Sequence, residues 1–259
     1  MGKRERSVQN IISCRPSSYG KYRSKAYGHL SKIGVKHVEL PMPSLEDIEG
    51  TLADLGGHGL SIASVQAPCN LSSKNLAEEF RIPVKTAKRM GAKRIFVSVK
   101  TGGMMKETVY QRLRAVGDVA AEENLIVILE THPDLATNGD LALETMEAVD
   151  HPNIRINFDT ANIYYYNREV DGIEEMKKIL DYIDGVHLKD TNGKFQAWHF
   201  PTLGKGIVNF LKVRRLLNNR GFYGPFTIEN EGIKGENLTL EQTFRRMEES
   251  VNHLRECGF

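Results

Sequence analysis

The sequence predicts an α/β fold, a single (β/α)₈ barrel, the TIM barrel, over residues 1–259. Three observations predict it. Eight short runs rich in Val and Ile alternate with helix-like runs from end to end. The spacing between consecutive strand runs leaves room for a helix, and a parallel crossover needs a dozen or more residues. The length of 259 residues matches a closed eight-unit barrel, which typically takes about 250. An open doubly wound sheet is the rival, and it normally carries a glycine-rich turn after its first strand. Here "SCRPSSYG" follows the first strand, with neither GxGxxG nor GxxxxGKS/T.

The predicted strands, in order, are "SVQNIISC", "VKHVELP", "LSIASVQAP", "RIFVSVK", "LIVILET", "IRINFDT", "IDGVHLKD" and "YGPFTIEN". Each is short and bounded by Gly, Pro or Asp. Among the helices, "KAYGHLSKIG" ends on glycine. "SLEDIEGTLADLGG" is expected to start at a serine cap three residues before Asp47 and to stop at a glycine pair. "NLAEEFRIPVKTAKRMG" contains a proline and is expected to kink or to form two pieces. "KETVYQRLRAVGDVAAEEN", "GDLALETMEAVD", "DGIEEMKKILDY", "GIVNFLKVRRLLNNRG" and "TLEQTFRRMEESVNHLREC" complete the set. No linker, low-complexity segment or long internal repeat interrupts them.

Composition limits the function classes. Hydrophobic residues make up 40% and charged residues 26%, enough for a large core. A net charge of +2 gives no strong pull toward nucleic acid or an anionic membrane. "MGKRERSVQN" is charged, is followed by no apolar leader core, and lacks the Ser or Thr of a myristoylation signal. No apolar run is long enough to cross a bilayer. Cys14, Cys69 and Cys257 are odd in number and dispersed. A reduced, cytoplasmic setting without a disulfide framework is therefore expected. Oligomeric state, including a homo-oligomer, stays open.

Four strands end on chemistry. Glu130, Asp159, His187 and Glu229 lie at or near the ends of strands five to eight. Barrel closure would bring these ends around one axis, on the face where such barrels build their sites. Singly, each has a plain structural alternative: Asp159 as a helix cap, Glu229 as a surface residue, His187 as a core histidine. Together, three carboxylates and an imidazole facing one another need a divalent cation among them. Mixed oxygen and nitrogen ligation suits Mn²⁺, Mg²⁺, Co²⁺ or Zn²⁺. Period two then places His132 on the face of Glu130 and Lys189 on the face of His187. Both are candidate substrate ligands, as are Asn162, Glu39, Trp198 and His199. Glu39 equally fits a rim ion pair, Trp198 a packed loop anchor, and Asp190 a cap. Gly204 and Gly206 let backbone approach a ligand or simply turn before the next helix.

These motifs resemble a known group. "VELP", "ILETHP", "INFDTAN", "GVHLKD", "GKG" and "FTIENEG" are similar to the xylose-isomerase-like barrel superfamily, specifically the sugar phosphate isomerase/epimerase family. The resemblance covers nearly the whole chain. It implies one divalent metal held by Glu130, Asp159, His187 and Glu229, with Glu130 and Glu229 as the acid/base pair on opposite faces of a substrate. The family often has histidine three residues after the aspartate; Asn162 stands here. Relatives that cleave DNA at abasic sites carry three metals and further histidines. This chain has Asn162 and "AWH" in the matching places and "VQAPCN" after strand three.

The expected function is a divalent-metal-dependent isomerase or epimerase. It would act by proton transfer next to a carbonyl of a ketose, aldose or sugar phosphate. The alternative is a metal-dependent lyase or dehydratase acting on a polyhydroxy acid. An abasic-site endonuclease relative ranks behind both. The expected partner is a small sugar-like molecule, not nucleic acid or membrane.

Overall fold

Alternation with period two closes the sheet on itself. In the computed structural model, which describes residues 9–259, the strands follow in chain order. They are β1 (Ile12–Cys14), β2 (His37–Pro41), β3 (Ser61–Gln66), β4 (Arg94–Val97), β5 (Ile126–Glu130), β6 (Ile154–Asp159), β7 (Ile183–Leu188), β8 (His199–Phe200), β9 (Phe226–Ile228) and β10 (Gly232–Ile233). All but β8 and β10 form one closed parallel barrel in sequence order, with β1 pairing to both β2 and β9. The beginning of the predicted first strand, and the charged start read for leader signals, lie outside the described residues. The helices are α1 (Ala26–Lys32), α2 (Ile48–Gly57), α3 (Leu76–Arg89), α4 (Lys106–Ala121), α5 (Gly139–Val149), α6 (Asn162–Tyr165), α7 (Gly172–Lys178), α8 (Phe210–Asn219) and α9 (Leu240–Glu256).

Two layers of packing follow from the alternation. Along β6, Ile154, Ile156 and Phe158 join the hydrophobic core against the helices, and Asn157 and Asp159 take the opposite face. On β5, Val127 and Leu129 face that core, leaving Ile128 and Glu130 for the barrel interior. The interior is tight. A Cβ on Gly185 would come within 2.6 Å of Ile128 Cδ1 and 2.7 Å of Asn157 Oδ1, so only glycine fits there. Register places Glu130 beside Asn157, Asp159 beside His187 and His187 beside Thr227. Asp159 and His187 are therefore side by side, with Glu130 two residues short of that pair and Glu229 two residues beyond it in register.

Several helix boundaries differ from expectation. Ser44 Oγ donates to Asp47 Oδ2 at 2.6 Å, but this pair closes a turn, and α2 starts only after Asp47. Pro83 lies inside an unbroken α3. It is buried, and the helix is strongly amphipathic, so packing offsets the lost hydrogen bond. The loop after β7 is not wholly irregular: His199–Phe200 pairs antiparallel with Gly232–Ile233, tying it to the loop after β9. The 3₁₀ segment Pro16–Lys25 after β1 was not expected. α9 begins with a capping box between Thr239 and Gln242. No helix among the described residues is long and apolar enough to cross a membrane.

Candidate active site

The strand ends converge. Glu130 closes β5, Asp159 closes β6, His187 lies on β7, and Glu229 follows β9. One donor atom from each of Glu130, Asp159 and His187 lies within 4.8 Å of the others. Glu229 joins from the side, its Oε2 3.3 Å from His187 Nδ1. Asp159 divides its two oxygens. Oδ1 accepts from the backbone N–H groups of Ala161 and Asn162, both at 2.8 Å, closing the turn at the strand end, while the helix cap position itself is Ala161. Oδ2 points into the cluster without a hydrogen bond. His187 Nε2 is held 2.9 Å from Glu39 Oε1, and Ser64 Oγ donates to Glu39 Oε2 at 2.6 Å. Glu39 thus orients the imidazole so that Nδ1 faces Asp159 and Glu229.

Two cations sit among these carboxylates. Arg15, just past β1, pairs with Glu229, lies 3.4 Å from Glu39 Oε1 and donates to Gln66 Oε1 at 2.5 Å. Lys189 Nζ lies 3.0 Å from Asp159 Oδ2, 2.8 Å from Glu229 Oε2 and 2.8 Å from Glu231 Oε2. Among the described residues, Glu39, Glu130, Asp159, Glu229 and Glu231 face Arg15, Lys189 and the His187 imidazolium, so five carboxyl groups outnumber three cationic groups. Burial pushes the Glu130 carboxyl up, reinforced by Glu229 and Asp159 against the lowering by Ser98 and His187. Burial would also raise Glu229, but Lys189, His187 and Arg15 hold it well below the usual carboxylate range. Burial would lower His187, yet Glu39 and Glu229 raise it to about 10.

The donor set fits a divalent cation. Asp159 Oδ2, His187 Nδ1 and Glu229 Oε2 are all buried without an aligned hydrogen-bond partner. The short distances from Lys189 to two of them are contacts of charge with poor angles. Three orphaned donors of mixed oxygen and nitrogen type, in an excess of negative charge, are what a metal site presents.

A cavity of about 610 Å³ opens over the cluster. Glu130, Glu229 and Trp198 line it, as do Arg15, Gln66 and Glu231. Trp198 is an exposed rim residue that meets Phe200 edge-on at 5.2 Å. Glu39, Asn162 and Lys189 are buried and do not line the cavity, and the same holds for Asp159 and His187. Asn162 bridges Glu130 Oε1 at 3.4 Å and Lys189 Nζ at 3.3 Å, so it positions the cluster. His132 stands off the wall, edge-on to Tyr166 at 5.0 Å. His199 pairs with Ile233 in the small sheet and is also off the wall. Asp190 accepts backbone N–H bonds from Thr191, Gly204, Gly206 and Val208 at 2.8–3.1 Å. It anchors the loop, and a Cβ on Gly206 would collide with it. Sequence reasoning missed Arg15, Gln66 and Glu231. The signal available for Arg15 was charge balance, because several buried carboxylates demand cationic partners; it gave no pointer to Glu231, itself a carboxylate.

A family model described as xylose isomerase-like TIM barrel matches residues 28–257. An inosose dehydratase from Geobacillus thermodenitrificans is 24% identical over 238 residues, 77% of this chain and 78% of that protein. A 3-dehydroshikimate dehydratase from Bacillus anthracis is 30% identical over 119 residues, 40% of this chain and 42% of that protein. The chain thus spans less than half the length of that relative, and likewise 43% of an uncharacterised protein from Methanocaldococcus jannaschii. Among solved structures, a D-psicose 3-epimerase with D-tagatose from Clostridium cellulolyticum has a TM-score of 0.75 at 15% identity, covering 95% of this chain and 99% of that one. A xylose isomerase-like barrel protein from Mycobacterium smegmatis in complex with magnesium has a TM-score of 0.75 at 18% identity, covering 96% and 98%. At these identities the structural likeness concerns the fold.

Proposed function

The chain belongs to the xylose isomerase-like TIM barrel family, and on that premise we propose that it removes a proton next to the carbonyl of a small, sugar-like polyhydroxylated substrate and returns it, as an isomerase or epimerase. One observation carries the reading: the orphaned donors Asp159 Oδ2, His187 Nδ1 and Glu229 Oε2 cluster with Glu130, and Glu130 and Glu229 line the cavity while Asp159 and His187 are buried next to them. Glu130, Asp159, His187 and Glu229 would hold one divalent cation, and that ion supplies Lewis acidity toward a carbonyl oxygen.

The residues of the chain do the rest. Glu130 is a cavity-facing carboxyl with no ion-pair partner within 4.0 Å among the described residues, and its pKa is raised by burial. It is the base and then the acid, holding the abstracted proton on its carboxylate until it returns it. Arg15, at the cavity floor, stabilises the negative charge that develops on the substrate. Glu229, held ionised by Lys189 and Arg15, serves as the opposing carboxylate. Trp198 offers an indole edge to a sugar face at the rim.

A second reading, a dehydratase, is favoured by one specific feature. Glu229 is pinned by two cations, so Glu130 is the member of the opposed pair left to move a proton. One base suffices to eliminate water, whereas two-face epimerisation needs a second. The named dehydratases among the relatives support it. A panel of ketoses, aldoses and cyclic polyhydroxy ketones and acids in D₂O with Mn²⁺ tests both. Deuterium retained in an unchanged carbon skeleton supports isomerisation or epimerisation, and appearance of an enone absorbance supports dehydration. Glu130→Gln should abolish either signal, and undiminished turnover in that variant would remove Glu130 from the chemistry.

A further inference from the structure

Lys189 makes contacts that neither a substrate ligand nor a simple structural lysine would make. Its side chain is 2% exposed, and the ammonium touches Asp159 Oδ2 at 3.0 Å and Glu229 Oε2 at 2.8 Å. Both oxygens belong to the donor set of the cation site. An ammonium and a divalent ion on the same two oxygens weaken one another, because their charges repel at contact distance inside a poorly screened interior. The third partner is different in kind. Glu231 Oε2 lies 2.8 Å from Nζ on the other side, its side chain 33% exposed on the cavity wall. Asn162 Oδ1, 3.3 Å away, and the face of Phe200, 5.1 Å from Nζ, are its uncharged neighbours.

We infer that Lys189 and the divalent cation compete for Asp159 and Glu229, and that Glu231 is the second anchor onto which Lys189 withdraws when the cation binds. The inference rests on the reading of this cluster as a metal site. It makes Lys189 a positioning residue. With the cation absent, its charge keeps two buried carboxylates from facing each other unpaired. With the cation in place, the ammonium stands beside Glu231 at the cavity wall, where it can donate to a substrate hydroxyl. The structural alternative is that Lys189 is a fixed counter-ion that lowers the net charge and never moves.

Chelator competition with Mn²⁺, read by a fluorescent indicator and independent of any substrate, separates the two. Lys189→Met should bind Mn²⁺ at least about tenfold more tightly than the wild type, because the competing charge is gone. Glu231→Gln should weaken binding several-fold in the wild-type background, about three- to tenfold, and by less than about twofold in the Lys189→Met background. That second arm excludes a bulk charge effect, which would persist in both backgrounds. Unchanged or weaker binding by Lys189→Met, or an equal loss from Glu231→Gln in both backgrounds, overturns the inference while leaving the metal site standing. Absence of Mn²⁺ binding in the wild type overturns both. If Lys189→Met does not fold, a crystal structure of the wild type with Mg²⁺ decides. Nζ on Glu231 and out of contact with Asp159 supports the exchange, and Nζ unmoved refutes it.

Discussion

Replacing Glu39 by glutamine isolates the part of the site that no substrate touches. Glu39 is 1% exposed, and its Oε1 lies 2.9 Å from His187 Nε2. The amide is isosteric. It can still accept from His187 through its oxygen and meet Ser64 Oγ, 2.6 Å from the other position, through its nitrogen. What is lost is the charge that keeps Nε2 protonated and Nδ1 a strong donor. Such partners of metal-bound histidines are worth about 10- to 100-fold in metal affinity, or roughly 1.4–2.8 kcal/mol. Arg15, 3.4 Å from the same oxygen, gains freedom but keeps Glu229. Once corrected for the His187 proton released on binding, which Glu39 also holds in place, Mn²⁺ affinity by chelator competition should therefore fall by one to two decades, with the circular dichroism of the fold unchanged. Affinity within about twofold of the wild type would show that Glu39 does not tune His187, and the orientation argument would fail.

The remaining expectations concern proton release, the loop and the core. His187 is raised to about 10 by Glu39 and Glu229 despite burial, so below that value a metal must displace its proton. Mn²⁺ binding at pH 8 should release about one proton, measured by calorimetry in two buffers of different ionisation enthalpy, and affinity should rise about tenfold per pH unit. The sign for stability is the reverse. The raised pKa gives His187 stability that is fully present below its unfolded value of about 6.5 and lost as pH rises through about 10, so chelated protein should melt lower at pH 9.5 than at pH 7. Asp190→Ala leaves four backbone N–H groups without their acceptor. It should cost at least about 3 kcal/mol and lower Tm by roughly 6–12 °C, seen by calorimetry. Gly185→Ala puts a methyl against Ile128 and Asn157 inside the barrel and should destabilise by about 1–3 kcal/mol in urea titration.

The barrel was legible because its two periods are unambiguous. Val127 and Leu129 alternate with Ile128 and Glu130, and the helical stretches between strands carry clear stops. The four strand-end residues were legible for the same reason: a charge at the end of an apolar strand has few explanations. The roles of the next shell were not. Lys189 reads as a substrate ligand by its spacing from His187, yet it serves as the internal counter-ion, because buried carboxylates recruit the nearest cation on their own face. Glu39 reads equally as a rim pair or a support, and only its contact with His187 across the barrel decides. Arg15 lies beyond a three-residue strand, at the start of a 3₁₀ segment whose mixed polar pattern has no helical or strand period. His132 and His199 were placed by adjacency, which period and loop position cannot convert into direction. Pro83 misled because the sequence shows the lost hydrogen bond but not the barrel wall that compensates for it.

Crystals soaked in Mn²⁺ and measured on both sides of the manganese absorption edge test the central claim most directly. A single anomalous peak within about 2.4 Å of Asp159 Oδ2 and His187 Nδ1, with the carboxylates of Glu130 and Glu229 turned onto it, is the expected result. Full Mn²⁺ occupancy elsewhere, with these four side chains unmoved and no peak among them, would contradict it.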